Sequence, residues 1–427
     1  MRKSWIVVWP SQPRFEQLAL AVWTSPMASA LIATGVYTLV AGAFGPVGLG
    51  QSRVAYFVYL ADAFLHGHLD LISLPPIHLD LSLYKGHYYL YWPPFPALLF
   101  MPLVAALGTG ISDAPLSLIS SGLNVWLVST LLAALDEKGI ARLSPAKRAW
   151  LTLFFAFGTV HVTLATNPSV WFTSQVIGFS LLCGAYIVAL RLPRSWSPLV
   201  SGTLIGCVLL TRDSMVLAGG WIVWYLIISR DRADRYSLAR IFLGVVAPVA
   251  AAAALLAVYN YLRFGNPMET GLAYHQMNPV FRDNYDKYGV FSLHYLPSNL
   301  YYDFLYFPYW RLLRGSVDLS FFYGGSLFLL SPALFLSVIG VLRQWRSNGW
   351  ALAASCVLGF APALLVMGPG VVQFGPRYSL DIAVPLLVAA AVGATSVSTR
   401  VLRWLCLISL AMYLPGAIFL RATGVIG

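Results

Sequence analysis

The segment Asp80-Leu-Ser-Leu-Tyr-Lys85-Gly86-His87-Tyr88-Tyr-Leu-Tyr-Trp-Pro-Pro-Phe-Pro-Ala-Leu-Leu99 carries an acid, a lysine five residues on, a turn glycine, an aromatic run and a proline-led apolar stretch. A carboxylate and an ammonium held together at a water–lipid boundary can activate a hydroxyl and hold a phosphate. The same residue types also serve plain structure. Asp80 can cap a turn, and Lys85 can snorkel to lipid headgroups. A second group is Thr211-Arg212-Asp213, set between the short apolar runs 198–211 and 214–229. The first of these reaches only about 21 Å as a helix. Arg212 and Asp213 are therefore expected below the outer membrane surface, facing a funnel. Ionisable groups at that depth are costly and point to function. A salt-bridged cap that holds the bundle together is the structural alternative. Four histidines (His66, His68, His78, His87) flank Asp80 in sequence. Their spacings match no standard metal signature. No cofactor is required by these residues, and a divalent metal is the one addition the histidines leave open.

Such groups need helices to carry them. Of 427 residues, 59% are hydrophobic and only 10% charged, against about 25% charged in a soluble protein. That excludes a soluble enzyme, a disordered chain and a disulfide scaffold. Cys183, Cys207, Cys356 and Cys406 all fall inside apolar runs and read as small core residues. The net charge of +11 could suggest nucleic acid. No basic stripe interleaved with exposed aromatics accompanies it, so no nucleic-acid partner is expected. The first apolar run, from about Leu18, lacks a small-residue cleavage site and is expected to remain as an anchor.

A spanning helix needs about 20 mostly apolar residues. Twelve apolar runs occur, near 18–43, 93–109, 115–135, 148–165, 172–190, 198–211, 214–229, 239–260, 324–342, 350–367, 380–398 and 402–420. If all twelve span, the loop with Lys138, Arg142, Lys147 and Arg148 faces outside, against the positive-inside rule. Demoting 93–109 repairs this loop and every later one. That run is short and holds Pro93, Pro94, Pro96 and Pro102, and reads as an interfacial or re-entrant helix. Eleven spans remain, with seventeen of the 27 basic residues inside. The N-terminus is then cytoplasmic. One membrane domain over 1–427 results, with two large outer loops, 45–113 and 261–323. Both loops are rich in Tyr, Trp and Phe and should fold on the membrane surface rather than stay disordered. Within the first loop, Val54, Phe57, Val58, Ala61 and Leu65 recur at spacings of three and four. They predict an amphipathic helix over Arg53–His66, lying on the outer leaflet.

Three blocks and one short motif then carry a resemblance. DLSLYKGHYYLYWPPFPALL resembles the first outer loop of polyprenyl-phosphate-dependent membrane glycosyltransferases of the GT-C class, the group of protein O-mannosyltransferases and lipid A aminoarabinose transferases. Tyr259-Asn-Tyr-Leu-Arg263-Phe-Gly-Asn-Pro-Met-Glu269-Thr-Gly271 resembles the entry of a helix into the second outer loop. Gln373-Phe-Gly-Pro-Arg377-Tyr378-Ser-Leu-Asp381, followed by Pro385, resembles an outer-side motif before a late helix, and Thr211-Arg212 also fits. The blocks keep the family order across most of the chain. The resemblance implies an all-α polytopic GT-C-like bundle of about 11 transmembrane helices, with interfacial helices in both outer loops. It departs from the family where many relatives carry an Asp-Glu pair early in the first loop. Here that region reads Gln51-Ser52-Arg53.

The implied partners are a sugar on a polyprenyl phosphate, a glycan, glycolipid or protein acceptor, and membrane lipids. The implied reaction is inverting transfer on the extracytoplasmic side, in a bacterial inner membrane. The base is expected at Asp80 first, Asp62 second and Asp70 third. The leaving phosphate monoester needs cations rather than an acid. Lys85 and Arg377 are the first candidates, with Arg212 and Arg263 in reserve, because a guanidinium fork suits phosphate. Tyr88, Tyr378, His87, Glu269 and Asp381 fall at substrate-binding positions of the same motifs. The structural alternatives are an Arg377–Asp381 interfacial anchor and an aromatic belt for the tyrosines. Two rival functions remain: a lipid-linked sugar flippase or transporter, and a catalytically silent scaffold. Transport is disfavoured because the helices are nearly free of charge away from their outer ends and no repeat is evident.

Overall fold

The computed structural model describes residues 21–45, 48–230, 233–234, 237–308 and 323–424. The expected inner-face residues Arg2, Lys3, Arg14, Glu16, Asp231, Arg232 and Arg235 lie outside them. Helices dominate. In chain order those of eight residues or more are α1 Pro26–Phe44, α2 Tyr56–Leu65, α3 Phe95–Leu107, α4 Ala114–Glu137, α5 Pro145–Phe157, α6 Val170–Arg191, α7 Ser197–Leu209, α8 Gly220–Ile228, α9 Ser237–Phe264, α10 Pro279–Tyr288, α11 Phe335–Arg343, α12 Trp350–Leu365, α13 Ala383–Ala394 and α14 Thr399–Ala422. Local signals set several ends. Ser25 and Ser398 accept the backbone N–H groups of Ala28 and Val401 at 3.4 and 3.3 Å, each satisfying an orphan donor at a helix start. Gly158 ends α5.

Among the described residues, seven helices are long and apolar enough to cross a membrane: α1, α4, α6, α9, α12 with its preceding turn, α13 with its preceding turn, and α14. These match seven of the eleven expected spans. The other four exist as shortened or broken helices. Run 148–165 breaks after Phe157 and restarts at Val160, and 198–211 holds only the 13 residues of α7. Run 214–229 opens with a tight 3₁₀ turn over Asp213–Gly219 before α8, and 324–342 is interrupted at Ser331-Pro332 before α11. The demoted run 93–109 is α3, 13 residues long with Pro102 inside. At 1.5 Å per residue it reaches about 20 Å, short of a bilayer core.

The helices pack through α4 and α6, whose residues are mostly buried. Small residues set the closest approaches. A Cβ on Gly340 of α11 would strike the Ala389 carbonyl of α13, and one on Gly393 would strike that of Leu336. Gly202 of α7 meets Gly244 of α9 in the same way. Such contacts suit a bundle in lipid, where close backbone packing holds helices together. On the outer face of α9, Leu243, Val246, Leu255, Val258 and Leu262 are exposed. A continuous apolar face of this kind calls for lipid against it.

Side chains of the expected inner face meet one another or a neighbouring backbone carbonyl. Arg191 pairs with Glu137 at 2.6 Å, Lys147 donates to the Ala394 carbonyl at 2.9 Å, and Gln344 donates to that of Ile140 at 2.8 Å.

The first outer loop departs from expectation twice. It is not wholly helical: Leu81–Tyr84 (β1) and His87–Leu90 (β2) form an antiparallel hairpin. Lys85 and Gly86 turn it, both in the left-handed region at φ 51° and 84°, as a two-residue hairpin turn requires. The predicted surface helix also exists, as α2, but it does not lie open on the membrane. Tyr56, Phe57, Val58, Leu60, Ala61 and Ala63 are all buried. All but Ala63 form a second core with Leu81, Leu90, Trp92, Phe100 and Val104. The sequence Tyr-Phe-Val-Tyr-Leu-Ala-Asp-Ala-Phe-Leu is apolar nearly all round, and such a helix is buried rather than laid on a surface.

Candidate active site

Asp80 stands just before β1, in the left-handed region at φ 64°, a conformation that Asp tolerates better than most side chains. The unpaired edge of the hairpin then binds the second outer loop. Asp80 N–H donates to Gln276 O at 2.9 Å and Gln276 N–H to Leu81 O at 2.8 Å, with Ser82 bridged to His275. This register brings His275 beside Asp80, with Nε2 3.0 Å from Oδ1. His275 Nδ1 is buried without a partner. A carboxylate oxygen only accepts, so Nε2 is the ring nitrogen placed to donate to Asp80. The other carboxylate oxygen, Oδ2, accepts Trp171 Nε1–H at 2.9 Å. Each oxygen keeps a further lone pair. The Asp80 side chain is 23% exposed, and that of His275 6%.

Trp171 lies in the first turn of α6, and Gln175 follows one turn later on the same face. Gln175 Nε2 donates to Asp381 Oδ1 and to the Arg377 carbonyl, both at 3.0 Å. The start of α6 thus bridges two carboxylates. Asp381 is 1% exposed. It accepts Arg212 Nε at 2.8 and 2.9 Å and Ser214 Oγ at 2.7 Å. The ring of Tyr378 lies close to both guanidiniums, 5.4 Å from Arg212 Cζ and 5.0 Å from Arg377 Cζ. Arg377 Nη2 donates to the Tyr378 hydroxyl at 3.2 Å. Tyr91 is partly buried beside Asp80 and both arginines, and desolvation and then the Asp80 charge push its phenol up.

All of these side chains line one cavity of about 590 Å³. Its polar wall carries Asp80, His275, Gln175, Arg212, Arg377 and Asp381. Much of the remainder is apolar, from Leu256, Met277, Phe281, Phe291, Val366 and Met367 among others, with Asp213, Ser214, Asn260, Thr270 and Asn278 also lining it. A main-chain bridge between Phe291 and Val366 closes this side.

Five of the eleven candidate residues meet there: Asp80, Arg212, Arg377, Tyr378 and Asp381. The other six do not line it. Lys85 sits in the exposed hairpin turn, its Nζ 5.0 Å from the Tyr84 ring, because a turn residue is carried away from the strand edge. Arg263 is buried and its two Nη groups are engaged elsewhere, while its Nε has no hydrogen-bond partner. It donates to Leu90 O at 2.6 Å and Asn260 Oδ1 at 2.7 Å, and its Cζ lies 3.8 Å from the Tyr259 ring centre. It ties α9 to β2. Glu269 Oε1 accepts Gly271 N–H at 2.6 Å and so closes its own turn. His87 Nδ1 bonds Asp70 Oδ2 at 2.8 Å on the exposed side of the hairpin. Tyr88 stacks toward His78, with ring centres 5.1 Å apart. Asp62 pairs with His66 at 3.4 Å. The anticipated Arg377–Asp381 anchor is replaced by Arg212–Asp381, since Asp381 lies against the Thr211-Arg212 turn. The alternative of a salt-bridged cap takes another form, as Arg212 pairs with Asp381 while Asp213 Oδ1 accepts Ser214 N–H at 2.8 Å. Among the described residues, no group of three or more His, Cys, Asp or Glu side chains could hold a metal ion.

His275, Trp171, Gln175 and Ser214 were not singled out in the sequence. A polar Gln175 one turn after Trp171 at the start of an apolar run was the one available signal.

No model of a known family matches the chain, and no curated protein sequence matches it. Among solved structures, it is similar to the Archaeoglobus fulgidus oligosaccharyltransferase in the apo form, at TM-score 0.47 and 13% identity, over 92% of this chain and 56% of that one. The same enzyme in complex with Zn and sulfate gives TM-score 0.47 and 15% identity, over 93% and 52%. The archaeal oligosaccharyltransferase AglB from Archaeoglobus fulgidus, with an inhibitory peptide and a dolichol-phosphate, gives 0.45 and 14%, over 92% and 56%. The chain thus spans about half the length of the solved structures it matches.

Proposed function

We propose that the protein is an inverting glycosyltransferase that moves a sugar from a polyprenyl phosphate to an acceptor hydroxyl on the extracytoplasmic side of a membrane. One observation carries this reading. A single cavity holds a carboxylate on one side, two guanidiniums on the other, and an apolar extension beside both. The sequence blocks that resemble polyprenyl-phosphate-dependent glycosyltransferases supply three of its charged residues, Asp80, Arg377 and Asp381.

The steps follow from the side chains. The acceptor hydroxyl attacks the anomeric carbon as its proton passes to Asp80, through a lone pair not used by Trp171 or His275. The anomeric C–O bond to phosphate breaks, and the configuration inverts. The leaving polyprenyl phosphate takes the bond's electron pair, and Arg377 and Arg212 stabilise its charge. A guanidinium bound at Nε by Asp381 still offers both Nη groups, which suits Arg212 to two phosphate oxygens. The apolar wall takes the first isoprene units of the donor.

The test is to incubate the purified protein with polyprenyl-phosphate sugars and hydroxyl acceptors in detergent, and to measure release of polyprenyl phosphate. Release, with transfer of the sugar, supports the enzyme. Movement of lipid-linked sugar across sealed vesicles without release supports the flippase instead. Neither event, across several sugars and acceptors, leaves the silent scaffold.

A further inference from the structure

Both arginines of the cavity present the same question: what holds a flexible cation in place without cancelling its charge? For Arg212 the holder is Asp381, a carboxylate at 2.8 Å, so the pair is neutral. Arg377 is different. Among the described residues no carboxylate lies within ion-pair distance of it, and its Nε is buried without a hydrogen-bond partner. Gln373 Oε1, also buried, lacks a partner as well. These two orphans are neighbours. A Cβ built on Gly370 would lie 2.6 Å from Gln373 Oε1 and 2.8 Å from Arg377 Nε. Gly370 stands at φ 94°, so the position both needs glycine and leaves room for the two groups to face each other. The Gln373 amide is itself anchored, with Nε2 donating to Pro369 O at 2.8 Å. Its orientation follows, because the nitrogen is committed to that carbonyl and the oxygen must point the other way.

We propose that Gln373 is a positioning residue that holds Arg377 at its Nε through a neutral acceptor, so that Arg377 brings an uncancelled positive charge to the donor's phosphate while Arg212 brings an oriented but neutralised one. Buried donors and acceptors are almost always paired, and Gln373 Oε1 is a buried, unpaired acceptor bordering the same Gly370 position as Arg377 Nε. Arg377 Nη2 then stays directed by the Tyr378 hydroxyl. The division of labour is electrostatic. The cation held by an amide discriminates charged from uncharged lipid. The cation held by a carboxylate sets geometry. This inference rests on the phosphate-donor reading above.

The test is equilibrium binding of polyprenyl phosphate and of the uncharged polyprenol of equal length, using the full chain purified in detergent. Wild type is expected to prefer the phosphate. Gln373→Glu keeps an acceptor for Arg377 Nε but cancels its charge, and should cut that preference about tenfold or more, with polyprenol affinity unchanged. Gln373→Met fills similar space with no acceptor and no charge, and should cut the preference by less. A Gln373→Glu protein that keeps the wild-type preference overturns the proposal. So does an equal loss of both lipids by both variants, which would mark Gln373 as part of the scaffold. If only Gln373→Met yields folded protein, an unchanged preference in that variant overturns it too. A wild type with no preference for phosphate sinks the donor reading itself, and the inference with it.

Discussion

Asp80 is held from three directions: its own left-handed backbone, the indole of Trp171, and the imidazole of His275. A base fixed in this way needs little reorganisation when it accepts a proton. His275→Gln should therefore lower turnover by about 10- to 100-fold, within the range expected for disturbing a general base, and leave donor binding near wild type. Equal losses in both would show that His275 binds the donor. A different buried acid governs stability. Asp303, in the second outer loop, has no partner for either oxygen among the described residues. Burial pushes its carboxyl up to about 8. Between about pH 4 and 8 the folded chain thus keeps a proton that the unfolded chain has lost, so stability falls as pH rises through that window. Asp303→Asn should flatten this fall, as read from thermal unfolding at pH 5 and pH 8. An unchanged difference between the two temperatures would count against it. Asp80, Arg212 and Arg377 were legible as chemistry because charge is rare in so apolar a chain. Trp171 and His275 were not. They lie 91 and 195 residues from Asp80 and reach it through helix facing and strand register, which no local pattern states. Lys85, the best cation on sequence proximity, fails because a turn separates it from its own strand.

At the level of elements, the long uniform helices were readable from apolar run length, and the places where they break were not. Run 324–342 is one apolar stretch in sequence, yet α11 starts only after Ser331-Pro332, where proline removes a backbone donor. The hairpin was hidden for another reason. The aromatic-rich segment before Trp92 lacks a clean polar–apolar alternation, and only Gly86 signals the turn. Main-chain bonding of this hairpin to the second outer loop carries Asp80 to His275, so the site is assembled by strand pairing in an otherwise helical protein. Farther off, the α11–α13 contact depends on Gly340 and Gly393. Gly340→Leu should cost about 1–3 kcal/mol by forcing the helices apart, seen as a lower unfolding temperature in detergent. Binding of polyprenyl phosphate at temperatures well below unfolding should persist, since neither helix carries a cavity-lining side chain. Unchanged stability would mean that the two helices do not pack this closely.

The whole molecule is polarised. Side chains of the expected inner face are tied down through Arg191–Glu137 and through Lys147 and Gln344 donating to the Ala394 and Ile140 carbonyls. The cavity lies where α6 begins, a full helix away from Arg191 at its end. Single cysteines placed at Tyr84 and Asn284 should react with an impermeant reagent added outside intact cells, while cysteines at Lys138 and Ala233 should not. Labelling at the last two positions would invert the orientation and put the cavity on the wrong side for an extracytoplasmic enzyme. The central claim is narrower and more direct to test: Asp80 takes the acceptor's proton while arginines hold the leaving phosphate. Single turnover of a polyprenyl-phosphate sugar in the presence of acceptor, comparing wild type with Asp80→Asn, measures it. Release of polyprenyl phosphate by wild type, with loss of about 10²-fold or more in Asp80→Asn at preserved donor affinity, is the predicted result. Equal release by both proteins would contradict it and move the base away from Asp80.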